Sequence, residues 1–206
     1  STDKAAAPIN LYGATKLASD KIFIAANNYR GNKKIKFSVV RYGNVMASRG
    51  SVIPYFLTLK SNDHFPITDK RMTRFNITLD EGVDFVMSCF DKMWGGEIFV
   101  PKIPSYKITD VVKAINTNAK IKIIGVRPGE KLHEIMITKD DSVNTLEFKK
   151  YFVILPSSDL WEVKKFINKD KKDKGKFMKY GFEYSSSDNS NFLNVSKIKK
   201  LINTLK

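Results

Sequence analysis

The chain has 206 residues, 42% of them hydrophobic, with 36 Lys and Arg against 21 Asp and Glu for a formal net charge of +15. That supply of apolar residues is enough for a sizeable core and excludes a disordered tail. One cysteine, Cys89, excludes an internal disulfide and suits a reducing compartment, and no run of about 18 apolar residues is present to span a membrane.

The chain opens on Ser1-Thr2-Asp3-Lys4-Ala5, and Pro8 with Asn10 marks a turn before a helix expected over about 10–28, with Asn10 as its N-cap. Residues 2–4 then lie near the C-terminal end of a strand feeding that helix, where open α/β sheets bind ligands. A solvated turn is the alternative reading of the same residues. Residues 37–42 are short and β-branched enough for a buried parallel strand, ended by Gly43 and Asn44. A short helix over 50–59 carries Pro54 in an early turn, and residues 74–77 form a short strand. Thr78-Leu79-Asp80-Glu81 is a capping box opening a helix that stops at Gly95-Gly96. Next come a strand over 97–100, a helix from about 109, a strand over 121–126, a helix after Pro128-Gly129, and a strand over 151–155 ended by Pro156. Eight of the sixteen residues over 164–179 are Lys, the composition of a solvated surface excursion, and no recognition motif accompanies the charge. The charge therefore implies no nucleic-acid partner, although an anionic substrate would gain from it by steering.

This alternation predicts an α/β fold: the C-terminal part of a Rossmann-type parallel sheet interleaved with a smaller α/β substrate-binding domain. Residues 1–45 and 78–100 are expected in the Rossmann part, and residues 46–77 and 101–206 in the substrate domain.

Tyr12 and Lys16, four residues apart, project from one face of the first helix. The ammonium favours the phenolate, the form that takes a proton from a sugar hydroxyl. Such a pair alone recurs by chance on surface helices; here a hydroxyl, a carboxylate and an ammonium stand just upstream. Asn44, past the end of its strand, offers an amide to a sugar or phosphate oxygen, or caps a loop. Arg127 can bind a pyrophosphate in bidentate fashion, while Glu130 accepts ribose hydroxyls; a surface ion pair is the alternative. Arg74 is a second phosphate ligand, with Arg71 competing for that role. His133 is expected to pack on a helix, and His64 to lie in a loop near the base. Two distant histidines without a Cys or Asp cluster give no metal site, and Cys89 reads as a buried structural thiol.

Several blocks together resemble a known family. Ser1 to Ala5 followed by Pro8-Ile9-Asn10-Leu11-Tyr12-Gly13-Ala14-Thr15-Lys16 is similar to the active-site segment of the extended short-chain dehydrogenases that modify nucleotide sugars, and within them to the inverting UDP-N-acetylglucosamine 4,6-dehydratases of pseudaminic acid biosynthesis. The resemblance continues through Val40-Arg41-Tyr42-Gly43-Asn44-Val45, Ser48-Arg49-Gly50-Ser51-Val52, Pro66-Ile67-Thr68-Asp69, Arg71-Met72-Thr73-Arg74-Phe75 and Val126-Arg127-Pro128-Gly129-Glu130-Lys131-Leu132-His133-Glu134. It implies NADP as cofactor, held by Tyr12, Lys16 and Val45, and UDP-N-acetylglucosamine as substrate, contacted by Thr2, Asp3, Asn44, Arg49, Val52, Arg74, Arg127 and Glu130. It also implies catalysis by Tyr12, Lys16, Asp3, Lys4 and Thr2 in a cytoplasmic homo-oligomer with no membrane or nucleic-acid partner. Asp3 and Lys4 set a dehydratase apart from a UDP-sugar 4- or 5-epimerase on the same scaffold. A non-catalytic nucleotide-sugar-binding fragment is the further alternative. The chain departs from the pattern at Ala47, where Gly is usual, at Asn76, where an aromatic is usual, and in a shorter 60–65 segment. It contains no G-x-G-x-x-G turn, so it reads as the C-terminal part of an enzyme and is expected to be inactive alone.

Overall fold

The computed structural model describes residues 1–157 and 160–204; residues 158–159 and 205–206 of the expected 101–206 range lie outside the described residues. In chain order the strands are β1 (Val39–Val40), β2 (Asn44–Val45), β3 (His64–Ile67), β4 (Thr73–Ile77), β5 (Ile98–Pro101), β6 (Ser105–Lys107), β7 (Lys120–Ile123), β8 (Ile135–Ile137), β9 (Thr145–Glu147), β10 (Tyr151–Ile154), β11 (Lys176–Phe177) and β12 (Tyr184–Ser185). The helices are α1 (Leu11–Ala25), α2 (Val52–Thr58), α3 (Leu79–Phe90), α4 (Ile108–Ile115), α5 (Val163–Ile167) and α6 (Val195–Asn203). The chain divides into two compact units. Ser1–Tyr42, Asp80–Lys102 and Ile135–Tyr184 make the first, and Gly43–Leu79, Ile103–Glu134 and Ser185–Lys206 the second.

The first unit is built on a five-stranded sheet in the order β1-β5-β10-β9-β11. β1 and β5 run parallel, with Val39 opposite Ile98 and Val40 opposite Phe99. The ladder of β1 is shorter than the expected 37–42 strand, but Arg41 N–H still donates to Phe99 O at 2.8 Å. Beyond it Tyr42 bridges Thr2 in parallel, and Asp3 N–H donates to Tyr42 O at 3.0 Å. Residues 2–3 thus lie beside the C-terminal end of β1; the strand expected to feed α1 does not form among the described residues, and its place is taken by the Thr2 bridge and a 3-10 turn over Asp3–Ala5. β5 is buried along its length: β1 and β10 pair with its two edges, and Phe99 packs in a cluster with Phe148, Phe166, Trp94 and Trp161. Each of the buried Phe99, Phe148 and Phe166 rings contributes roughly 1.5–3 kcal/mol through burial.

Residues 135–184 were expected in the smaller domain and belong instead to the first unit. Strand pairing is the reason: β10 runs antiparallel to β5 over four residue pairs, from Tyr151 opposite Pro101 to Ile154 opposite Ile98. The Lys-rich excursion is held to this sheet by its own ends. Phe166 is buried in the aromatic cluster, Lys149 N–H donates to Asp173 Oδ1 at 3.0 Å, and β11 pairs with β9.

α1 starts where its cap dictates, with Asn10 Oδ1 accepting from Gly13 N–H at 2.8 Å, and it passes after Ala25 into a 3-10 turn over Ala26–Tyr29. Gly13 packs on the chain's opening segment: a Cβ there would stand 2.5 Å from Lys4 O and 2.9 Å from Pro8 Cβ. Glycine is required by that close approach.

The second unit carries the sheet β2-β4-β6 and the parallel pair β3-β7. β4 is buried along its length, with β2 parallel on one side and β6 antiparallel on the other. Its core is formed by Phe56, Phe65, Ile67, Met72, Tyr106, Val111 and Ile198. Pro54 stands third in α2, where a first-turn N–H has no helical partner to lose. Ala47 adopts φ 59°, the left-handed region that favours glycine, which is the residue the resemblance expects there.

One expected element is absent among the described residues. No helix follows Pro128-Gly129; Glu130 N–H closes a turn onto Arg127 O at 3.1 Å, Gly129 has φ 76°, and residues 131–134 run without helix into β8. The Arg74 guanidinium takes the carbonyls of Lys131 and Leu132 at 2.9 and 3.0 Å, the groups a helix would need for its own ladder. His133 is therefore not helical, and His64 begins β3 rather than lying in a loop.

Candidate active site

The chemistry-bearing residues form one cluster in each unit. In the first, Asp3 opens a 3-10 turn over Asp3–Ala5 and is fully buried. Its Oδ1 accepts from Thr2 Oγ1 at 2.9 Å and from Lys4 Nζ at 3.0 Å, and Thr2 Oγ1 in turn accepts from Lys4 N–H at 3.4 Å. Oδ2 is buried with no hydrogen-bond partner among the described residues. Lys4 reaches this carboxylate from a side chain 34% exposed, so its ammonium touches both Asp3 and solvent. A buried acid, a hydroxyl bonded to it and a partly exposed amine therefore stand together at the start of the chain.

Tyr12 and Lys16 stand on one face of α1, as their spacing requires, with Tyr12 exposed and Lys16 partly so. The Lys16 Nζ is 5.7 Å from the centroid of the Tyr12 ring, and the Tyr12 hydroxyl has no hydrogen-bond partner among the described residues.

A contact absent from the sequence reading holds this helix. Asp20, one turn beyond Lys16, and Arg41, just after β1, are both 3% exposed and meet at 3.1 Å through Asp20 Oδ2 and Arg41 Nη2. Arg41 Nη1 also donates to Met136 O at 3.0 Å, and Asp141 lies 3.9 Å away. An acid on the buried side of an otherwise exposed helix was the available signal.

In the second unit a cavity of about 640 Å³ is lined by Asn44, Val45, Val52, Arg74, Arg127 and Glu130, all expected from the sequence, and by Ser51 and Thr68, which were not singled out for a role. Phe56, Ile67 and Tyr106 supply apolar wall. Arg49 is exposed and does not line it, and neither does His64. The Asn44 Oδ1 and Ser51 Oγ atoms are buried without partners among the described residues.

The structure separates the two competing arginines. Arg71 is taken by Asp69 in a bidentate pair at 2.8 and 3.0 Å in the open, which holds the Asp69 carboxyl down to about 2. Arg74 points inward. Its Nη1 donates to Thr73 O at 2.7 Å as well as to Leu132 O, and Glu134 and Glu130 lie 3.7 and 3.9 Å away. Arg74 thus clasps the 130–134 segment to β4. His133 Nδ1 lies 2.8 Å from Thr73 Oγ1, which also meets Ser186 Oγ at 2.8 Å, and burial followed by the Arg74 charge lowers the imidazole's pKa.

Cys89 is buried, and burial pushes its thiol up to about 12. Among the described residues no group of three or more His, Cys, Asp or Glu is placed to hold a metal ion, and no helix is long and apolar enough to cross a membrane.

A parallel β1-β5 pair with Tyr-x-x-x-Lys on the helix packed beside it defines a protein of the short-chain dehydrogenase/reductase fold class. Residues 1–156 match the polysaccharide biosynthesis protein family, and the chain belongs to that family. Over 98% of its length it is 54% identical to the UDP-N-acetylglucosamine 4,6-dehydratase (inverting) of Campylobacter jejuni, and over the same share 38% identical to the UDP-glucose 4-epimerase of Rickettsia bellii. The chain spans 62% and 59% of the length of these curated relatives. Among solved structures, Pen from Bacillus thuringiensis matches all of the chain with a TM-score of 0.82 at 31% identity, the match covering 61% of Pen.

Proposed function

We propose that the enzyme formed by this chain is a C5-inverting UDP-N-acetylglucosamine 4,6-dehydratase that uses NADP. The observation that carries the reading is the Thr2-Asp3-Lys4 unit packed against the start of the Tyr12/Lys16 helix. Oxidation and re-reduction at C4 suffice for an epimerase, whereas eliminating water across C5 and C6 needs an additional base and acid. The 54% identity to a dehydratase supports the same choice.

Tyr12 takes the proton of the sugar 4-hydroxyl, with the Lys16 ammonium beside its ring. When bound, the nicotinamide supplies hydride acceptance from C4 and hydride return to C6. The 4-ketone acidifies the C5 hydrogen. Lys4, as a neutral amine, removes that proton while protonated Asp3, oriented by Thr2, gives its own to the departing 6-hydroxyl, which leaves as water. One proton moved along the 3.0 Å Lys4–Asp3 hydrogen bond turns the ion pair into this neutral pair. Reprotonation of C5 from the opposite face inverts that centre.

The residues present fit part of the cofactor. A Tyr12 hydroxyl and a Lys16 ammonium, neither held by a hydrogen bond or ion pair among the described residues, suit the hydroxyls of a nicotinamide ribose. The chain holds no Gly-rich turn for a pyrophosphate, so residues 1–206 alone should bind NADP weakly and turn over no substrate. In the second unit Arg127 binds the substrate's pyrophosphate and Glu130 its ribose, with Asn44 and Val52 completing the contacts and Arg74 holding the clamp. The family resemblance supports a cytoplasmic homo-oligomer.

The test uses the enzyme with a complete dinucleotide-binding half, incubated with UDP-N-acetylglucosamine in deuterated water. The expected product is a 4-keto-6-deoxy sugar inverted and deuterated at C5. Lys4→Ala should lower turnover at least about 100-fold and abolish the label, with an unchanged circular dichroism spectrum. C4 inversion with the 6-hydroxyl retained would identify an epimerase, and retention at C5 would remove the inverting assignment.

A further inference from the structure

Thr68 follows β3 directly and is 8% exposed. Its Oγ1 stands 3.2 Å from each carboxylate oxygen of Glu130, to which it donates in a three-centre bond across 62 residues of sequence. Arg74 approaches the same carboxylate only to 3.9 Å, because its guanidinium is engaged by the carbonyls of Thr73, Lys131 and Leu132. Glu130 remains 28% exposed, and it lines the cavity of the second unit together with Thr68, Arg74 and Arg127.

A carboxylate offers about four lone-pair sites, and one hydroxyl proton shared between its oxygens uses a single donor. Each oxygen therefore keeps capacity for another hydrogen bond, while the Thr68 contact fixes the rotation of the group. The turn closed by Glu130 N–H on Arg127 O sets the backbone, and the hydroxyl sets the side chain. A carboxylate held this way presents two acceptors side by side, the pattern that receives two hydroxyls on neighbouring carbons.

Resting on the reading of this cavity as a nucleotide site, we propose that Thr68 is a positioning residue that presets Glu130 to receive both ribose hydroxyls, so that the site selects ribonucleoside diphosphates over their 2′-deoxy counterparts. A deoxyribose leaves one oxygen of a charged acceptor without its donor, which corresponds to a preference of about tenfold or more. Without the Thr68 hydroxyl the carboxylate is free to turn, and the second hydroxyl loses most of its advantage.

Isothermal titration of the full chain with UDP and with 2′-deoxyuridine diphosphate measures the ratio directly. The wild type should prefer UDP by about tenfold or more, Thr68→Val should bring the ratio close to one, and Thr68→Ser should restore it. Loss of fold would weaken both nucleotides together and leave the ratio in the folded fraction unchanged, so the ratio and its rescue by Ser separate positioning from stability. A Thr68→Val protein that still prefers UDP tenfold would overturn the proposal. A wild type that binds neither nucleotide would instead overturn the nucleotide reading of the cavity.

Discussion

Replacing Arg41 by Met tests what holds α1 in place. The change removes the guanidinium that meets Asp20 at 3.1 Å and Met136 O at 3.0 Å, both inside the first unit. With Arg41 and Asp20 each 3% exposed, little water can replace the lost partner, and Asp141, also acidic, lies near the vacated charge. Breaking a buried pair from one side costs about 3–5 kcal/mol, because the remaining charge is left uncompensated. That is a large share of the roughly 5–15 kcal/mol that stabilises a domain. At a urea m-value of about 2 kcal/mol per M, the midpoint should fall by about 2 M. Asp20→Asn keeps an acceptor for Arg41 and should cost about half as much, while Asp20→Leu combined with Arg41→Met should be less harmful than the sum of the single changes. Tryptophan fluorescence is the assay: the chain's two tryptophans, Trp94 and Trp161, pack edge to face at 5.4 Å within this unit, so the signal reports its unfolding. An Arg41→Met midpoint within about 0.3 M of wild type would refute the reasoning, since no buried charge could then have been left unpaired.

With its thiol pushed up to about 12, Cys89 should react with a thiolate-selective reagent at pH 8 on the order of a thousandfold more slowly than an exposed cysteine, and at the ordinary rate in denaturant; rapid labelling of the folded chain would contradict its burial. Glu97 is fully buried, accepts from Trp94 N–H at 2.6 Å and has a pKa raised above the ordinary carboxylate range by burial. The folded state therefore holds its proton more tightly than the unfolded chain, and this contribution to stability is present below about pH 4.5 and lost as pH rises through the raised value. Glu97→Gln should gain on wild type in urea midpoint as pH rises from about 4 to 8; a difference that stays constant with pH would show the carboxyl to be unperturbed.

What the sequence made legible is local. Asn10 capping α1, the β-branched Val39 and Val40, and the Tyr12/Lys16 spacing each act within a few residues, and each stands where expected. Ala47 is the same kind of case, a departure visible in sequence that the backbone records as a left-handed φ. The Arg71 and Arg74 ambiguity also had a local answer, since Asp69 two residues before Arg71 is what turns that side chain outward. The errors share a different cause. A helix after Gly129 is reasonable until Arg74, more than fifty residues earlier, claims the Lys131 and Leu132 carbonyls. The placing of 135–184 failed because nothing near Tyr151 announces that β10 will pair with β5. The same holds for two side-chain contacts. Asp20 with Arg41 and Thr68 with Glu130 join side chains 21 and 62 residues apart, and neither partner carries a motif naming the other. Short-range features are thus written as local patterns, while contacts between distant residues exist only once the chain has folded.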